Sequence, residues 1–332
     1  MAKLSIFDLP KTVISKDLSG KYLLIYGKSK IGKTSFAAQL EKNLILAAEI
    51  GTNALDGLSV YPIMKWSDVK SVLKELRDPR AREIYSTITF DTITICGQLV
   101  EKHICAREGV DNIKDIPYGQ GFNMVAQELQ ETLREITQLG FGLILICHSK
   151  EKATSYTDEE GNSITSVEPD IGSKKIAQVC QAVTDLIGYI GVEFDAQGNS
   201  HRYLYTRQTP TVFAGSRWKY LAPKIEFGYQ QLVDAIGEAI EKQKNIDGAT
   251  VVETQQRQVI ASRPFTDAMG EAKDIWLTYL NGATNDEEKD YRANVLNEIV
   301  LRIFGRPMKL SQALPSQQDL VELFIDEAKD LH

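Results

Sequence analysis

The amino-acid sequence predicts an α/β fold: a mainly parallel central sheet flanked by helices, with a small helical region after it. Three observations predict this. Between residues 21 and 150, short apolar runs alternate with longer stretches whose apolar residues recur at helical spacing. The short runs are apolar at successive positions, as strands covered on both faces must be. Beyond residue 262, only helical periodicity remains.

Residues 1–17 read as a lead-in to a domain spanning 18–244. "KYLLIY" (Lys21 to Tyr26) is a buried strand, and "KTSFAAQL" continues as a helix of good helix formers. "NLILAAE" (Asn43 to Glu49) and "IYSTITFDT" (Ile84 to Thr92) are further strands, each reaching an acid. A helical stripe follows at Phe122, Val125, Leu129, Leu133 and Ile136, closed by Gly140. "FGLILICHSK" is another central strand. The polar, Gly-containing stretch after Lys150 reads as a long mobile loop. "VTDLIGYIGVEF" and "HRYLYTRQT", joined by the turn "DAQGN", read as antiparallel strands, and "EFGYQQLVDAIGEAIEKQ" as a closing helix. Residues 245–262 are Gln-rich and weakly patterned, a linker. Residues 263–332 carry three helical stretches: around Ile275, Trp276 and Tyr279; over Tyr291, Val295, Ile299 and Ile303; and after Pro315-Ser316.

With 332 residues, 43% hydrophobic and 25% charged, the chain has room for one large globular domain and a smaller one, or for two ordinary domains. No apolar run approaches the ~18 residues that span a bilayer, and the N-terminal residues contain no segment of secretory-signal length. A cytoplasmic protein with no membrane partner is expected. Cys96, Cys105, Cys147 and Cys180 are widely spaced and form no CxxC pair, which argues against zinc and disulfide frameworks. The net charge of −7 argues against an all-over basic coat but leaves room for a local basic groove.

The chemistry concentrates in "GKSKIGKTS", Gly27, Lys28, Ser29, Lys30, Ile31, Gly32, Lys33, Thr34 and Ser35, which satisfies G-x-x-x-x-G-K-[ST] between a strand and a helix. Its glycines let backbone N–H groups curl around an anion without an obstructing Cβ, and the following helix adds the positive end of its dipole. Lys33 can reach the β- and γ-phosphates of ATP, and the Thr34 hydroxyl can ligate Mg²⁺. Such a loop needs a second acid on a nearby strand to orient the Mg²⁺ shell, and Asp91 is the best placed. Glu49, at another strand end, could polarise the attacking water. His148, ending "LILIC", would face the γ-phosphate.

In this order the motifs resemble the RecA-like ATPase core and, within it, the phage-type nucleotide-binding AAA proteins, which include single-strand annealing and recombination ATPases. The likeness covers about residues 18–240 and rests on "GKSKIGKTS", "AAEIGTNALDGL", "TFDTIT", "IPYGQGFN", "LILICHSK" and "YTRQTPTVFAGSRWKYL". It implies that Glu49 activates water, that His148 senses the γ-phosphate where relatives carry glutamine or asparagine, and that a cation completes a neighbour's site. Arg217 in "AGSRW" fits that trans-acting arginine, while Gly215 stands where relatives offer a lysine. Such a finger can be worth ~10³ to 10⁵ in rate. A homo-oligomer is thereby implied, located in the host cytoplasm if phage-encoded.

The resemblance also implies single-stranded DNA as partner, through loops at strand ends. Residues 107–121 offer Arg107, Lys114 and Tyr118, and residues 149–175 offer Lys150, Lys152, Tyr156, Lys174 and Lys175. Cations interleaved with an aromatic are what unspecific single-strand binding needs. The expected function is therefore a recombination or replication ATPase acting on single-stranded DNA. A nucleotide-gated helicase loader with little turnover is the alternative, and a P-loop small-molecule kinase a further one.

Overall fold

The computed structural model describes residues 14–15, 18, 20–49, 51, 55–157, 159–252 and 264–331. It divides into two compact units, Met1–Ile260 and Ala261–His332. The first contains strands β1 (Ile14–Ser15), β2 (Tyr22–Gly27), β3 (Asn43–Ala47), β4 (Ser59–Pro62), β5 (Thr87–Asp91), β6 (Gly142–Thr157), β7 (Ser163–Asp170), β8 (Leu186–Phe194), β9 (Ser200–Tyr205), β10 (Gly215–Ser216), β11 (Lys224–Glu226) and β12 (Val251–Val252). Its α-helices are α1 (Lys33–Ala37), α2 (Trp66–Leu76), α3 (Ala81–Ile84), α4 (Ile93–Glu108), α5 (Gln120–Gln138), α6 (Lys174–Val183) and α7 (Tyr229–Asp247).

The main sheet runs β11-β9-β8-β2-β6-β5-β3-β4, with β10 added to β8 and β7 to β6. From β4 to β8 every pairing along this path is parallel, and β9 and β11 continue it antiparallel. The successive apolar residues of β2 and β6 divide by the strand period of two. Leu24, Tyr26, Leu143, Leu145 and Cys147 face one core, shared with residues of α2, α4, α5 and α6. Leu23, Ile25, Ile144 and Ile146 face the other, shared with α1 and α7. Coverage on both sides is why these strands carry no polar alternation. Phe90, the central aromatic of β5, is fully buried. Phe90→Ala should cost about 3–5 kcal/mol, read as a lower denaturation midpoint with an unchanged m-value.

The structure departs from the sequence reading in four places. The helix expected through Leu40 stops at Ala37, where the buried Asn43 amide donates to the Ala37 carbonyl at 2.8 Å and the next turn tightens. Strand β4 and helices α2, α3, α4 and α6 had no counterpart in the strand-and-helix reading; β4 is a largely exposed edge strand with no sustained apolar run, and α6 takes up Lys174 and Lys175. Residues 149–175 are not one mobile loop. β6 continues to Thr157 and β7 returns antiparallel from Ser163, with Lys150 paired to Asp170 at 3.3 Å and Lys152 to Glu168 at 3.1 Å. Polar composition concealed a hairpin whose charges compensate across the strands. The segment expected as a linker begins as structure: α7 runs to Asp247 and ends at Gly248, and β12 pairs in parallel with β1. Residues 253–262 of that segment, and 1–13, 16–17 of the lead-in, lie outside the described residues.

The second unit holds α8 (Phe265–Asn281), α9 (Asp286–Phe304) and α10 (Gln318–Lys329). They close on a core that includes Ala272, Leu296, Val300, Val321 and Phe324, with Trp276 stacked on Phe324. The acidic run at 286–288 opens α9, where the Asn285 side chain caps the Glu288 N–H at 2.8 Å. Among the described residues, no helix is long and apolar enough to cross a membrane.

Candidate active site

Parallel register brings the ends of four strands to one edge of the sheet. Gly27 lies opposite His148 on β6 and Ile190 on β8, and Asp91 lies opposite Ala47 and Ile146. The loop after β2, the acid two residues beyond β3, the acid ending β5 and the histidine within β6 therefore gather at the carboxyl edge, where open α/β sheets bind ligands.

The loop from Gly27 to Ser35 takes backbone conformations that expose its N–H groups. Lys30 and Gly32 have φ of 61° and 108°, the second being open only to glycine in practice. Among the described residues, no backbone N–H from Ser29 to Ser35 donates to a protein acceptor. Seven adjacent donors left over in one concave turn form a nest for an anion. Helix α1 is only five residues long, so the loop's own N–H groups, more than a helix dipole, define the cradle. Lys33 is buried and its ammonium donates to the carbonyls of Gly27 and Lys28 at 2.9 and 2.7 Å. Burial pushes its pKa below the usual lysine range, opposed by the nearby Asp91 and Glu49 carboxylates.

The Thr34 hydroxyl donates to Asp91 Oδ2 at 2.6 Å. Burial lifts the Asp91 carboxyl above its ordinary range, against the pull of that hydrogen bond. Two hard oxygen donors in contact beside a phosphate cradle fit Mg²⁺, which typically takes one or two protein oxygens and completes its shell with phosphate and water. Among the described residues, no group of three or more His, Cys, Asp and Glu side chains is placed to hold a metal alone.

Because the folded-state pKa of Asp91 lies above that of the unfolded chain, the native state keeps this proton more tightly. Stability without nucleotide therefore falls as pH rises through the window between the two values. Asp91→Asn should flatten that slope and melt no lower than the parent near pH 7, while losing the Mg²⁺ dependence of nucleotide binding. Melting scans across pH, with and without Mg²⁺-ATP, measure both.

Glu49 accepts a hydrogen bond from the Thr92 hydroxyl at 2.8 Å, and His148 Nε2 stands 3.4 Å from both of its carboxylate oxygens. Thr92 caps α4, accepting from the Ile95 N–H at 3.5 Å, so the start of that helix also holds the carboxylate. Thr92 went unread in the sequence, although a threonine just before "ITICGQL" carries an N-cap signal. A cavity of 320 Å³ opens beside the loop, between Lys28 and Ser29 on one side and His148, Lys150 and Glu151 on the other.

Lys33, Thr34, Glu49, Asp91 and His148 are thus brought together as the sequence led one to expect. Arg217 is not. It follows β10, which pairs with the first residues of β8, at the amino edge of the sheet. There its guanidinium donates to Asp185 Oδ1 at 3.0 Å and to the Ala182 carbonyl at 2.9 Å. Arg202 on β9, unread in the sequence, is the arginine that touches the loop, donating to the Ile31 carbonyl at 2.9 Å. No local motif marks it, because only the pairing of β8 with β9 carries it there. The four cysteines are free and buried, with Cys147 pointing into the core beside its half-buried neighbour His148.

Comparisons with known proteins bear on the family of the chain. A family profile described as an AAA domain matches residues 19–218. A curated relative, the SPbeta prophage-derived uncharacterized protein YorG of Bacillus subtilis (strain 168), is 30% identical over 339 aligned positions, covering 99% of this chain and 98% of the relative. Among solved structures, the flagellar accessory protein FlaH from Methanocaldococcus jannaschii superposes with a TM-score of 0.34 and 12% identity, over 63% of this chain and 85% of that one. A KaiC-like protein from Pyrococcus horikoshii OT3 gives the same score and coverages with 14% identity. Parallel strands ending in a phosphate loop and its acids, together with the profile and the full-length relative, lead to one assignment: the chain belongs to the AAA domain family of P-loop ATPases, with a prophage-derived protein among its relatives.

Proposed function

We propose that the protein hydrolyses ATP with Mg²⁺ and couples the cycle to single-stranded DNA in phage-type recombination or replication. The observation that carries the hydrolytic half is the ring of unpaired N–H groups around Lys33, closed by the Thr34–Asp91 and Glu49–Thr92 hydrogen bonds. In this reading the loop N–H groups and Lys33 bind the β- and γ-phosphates. Thr34 and Asp91 hold Mg²⁺, which when bound neutralises phosphate charge. Glu49, aimed by Thr92, takes a proton from the attacking water, and His148 stands beside it where loss of the γ-phosphate would be felt. Arg217, at the opposite edge of the sheet from the loop, could serve only a neighbouring subunit's nucleotide, so its role requires a homo-oligomer.

For the DNA partner, support comes from the segment 107–121 more than from the hairpin. Tyr118 is 97% exposed and takes a left-handed backbone conformation between Pro117 and Gly119. Lys114 nearby has no ion-pair partner among the described residues, whereas Lys150 and Lys152 are matched by hairpin acids. An exposed ring beside a free cation suits base stacking with phosphate contact.

ATP turnover should rise when single-stranded DNA is added, with affinity falling steeply as salt increases. Tyr118→Ala should weaken that DNA binding by about 1–3 kcal/mol. Turnover that no nucleic acid alters would refute the coupling, and absence of turnover in the parent protein would favour the loader.

A further inference from the structure

We propose that Arg202 is a positioning residue for nucleotide binding: it fixes the Ile31–Gly32 peptide so that the Gly32 N–H faces the phosphates of a bound nucleoside di- or triphosphate. This rests on the reading of residues 27–35 as a phosphate cradle. Arg202 lies on β9 opposite Val192 of β8, two residues beyond the position where β8 pairs with Gly27. Its Nη1 donates to the Ile31 carbonyl at 2.9 Å. In a planar trans peptide the C=O and N–H point in opposite directions. A carbonyl drawn towards Arg202 therefore sends the Gly32 N–H away from it, to the inner side of the loop.

That peptide needs a brace. Gly32 has no Cβ to limit its rotation, and with the peptide turned over, a carbonyl oxygen would meet the phosphate in place of a donor. The brace is itself fixed. The guanidinium lies over the Phe227 ring at 5.6 Å, and that ring stacks on Phe36 of α1 at 5.7 Å. The Phe227 N–H donates to the Arg202 carbonyl at 2.8 Å, locking the two residues across β9. The fit is close: a Cβ placed on Gly32 would lie 2.6 Å from Arg202 Nη1. Arg202 is exposed, so its bond to one carbonyl adds little to global stability; what it restrains is the direction of a donor in the cradle.

Isothermal calorimetry of ADP on the full chain, with steady-state ATP turnover, tests the inference on the parent, Arg202→Met and Arg202→Lys. Methionine keeps an apolar stem on Phe227 but has no donor. It should weaken ADP binding about 10-fold or more and raise KM for ATP similarly, leaving kcat at saturation within about 2-fold and the nucleotide-free melting temperature unchanged. Lysine retains one donor for the Ile31 carbonyl and should recover part of the loss, though not all, since it stacks less well. Parental ADP affinity in Arg202→Met, a fall in kcat without a rise in KM, or no recovery by lysine would each overturn the proposal. Should Arg202→Met fail to fold, Phe227→Leu replaces it, with an expected loss of about 3-fold and parental affinity as the refuting result. A parent protein that binds neither ADP nor ATP would refute the cradle itself, a failure distinct from parental binding in the variants.

Discussion

Replacing Glu49 by glutamine should lower ATP turnover by about 10²- to 10⁴-fold while ATP binding persists. Among the described residues the carboxylate has no hydrogen bond to the loop; it touches the Thr92 hydroxyl and the His148 ring, beside the Thr34–Asp91 pair. Glutamine keeps the shape and can still accept from Thr92 through its carbonyl oxygen, but it cannot take a proton from water at neutral pH. The loss should therefore fall on kcat, with the dissociation constant for ATP within a few-fold of the parent. Rapid-quench measurement of a single turnover, beside equilibrium binding, separates the two quantities. Parental turnover in this variant would place the general base elsewhere.

Lys33→Ala acts on the other quantity. The lysine is buried, and its hydrogen bonds to the Gly27 and Lys28 carbonyls hold it across the mouth of the loop. A triphosphate entering the cradle would exchange those neutral acceptors for anionic ones, which bind an ammonium more strongly. Removing one partner of such a buried charged pair costs about 2–5 kcal/mol, roughly 30- to 4,000-fold in affinity. Loss of the ATP-induced rise in melting temperature would show it. The nucleotide-free melt of the same variant separates lost binding from lost folding. Binding like the parent's would remove the basis of the ATPase reading.

The fold was legible because its strands are buried on both faces, and such runs stand out as "LLIY" or "LILIC". The loop was legible because an anion cradle demands glycine and lysine at fixed local spacing. Features made by pairing were not. The hairpin of β6 and β7 looked like a loop because its stabilising acids and lysines sit on different strands and balance only when folded. Arg202 was invisible because its partner, Ile31, is 171 residues away along the chain. The Asp185 partner of Arg217 was hidden in the same way, since it lies 32 residues away along the chain.

β6 runs for 16 residues, starting between β2 and β5 and ending in the hairpin, where its register with β7 shifts between Ala153 and Thr157. Beyond His148 the pair stays held: the Tyr26 hydroxyl on β2 donates to the Val167 carbonyl of β7 at 3.0 Å, and Val167 exchanges backbone hydrogen bonds with Thr211 and Phe213, so the projecting arm begins after Glu151, opposite Val167. The rest of the hairpin is then a lever that pivots at the Glu151–Val167 pair, three residues beyond His148. From Glu151 to Thr157 the arm reaches roughly 20 Å, so a rotation of about 5° at the pivot would sweep the tip by roughly 1.7 Å, enough to change what it can touch. Spectroscopic distances between labels at Lys28 and Glu160, compared with ADP and with a non-hydrolysable ATP analogue, would register that swing; equal distances in the two states would mean that the arm stays still.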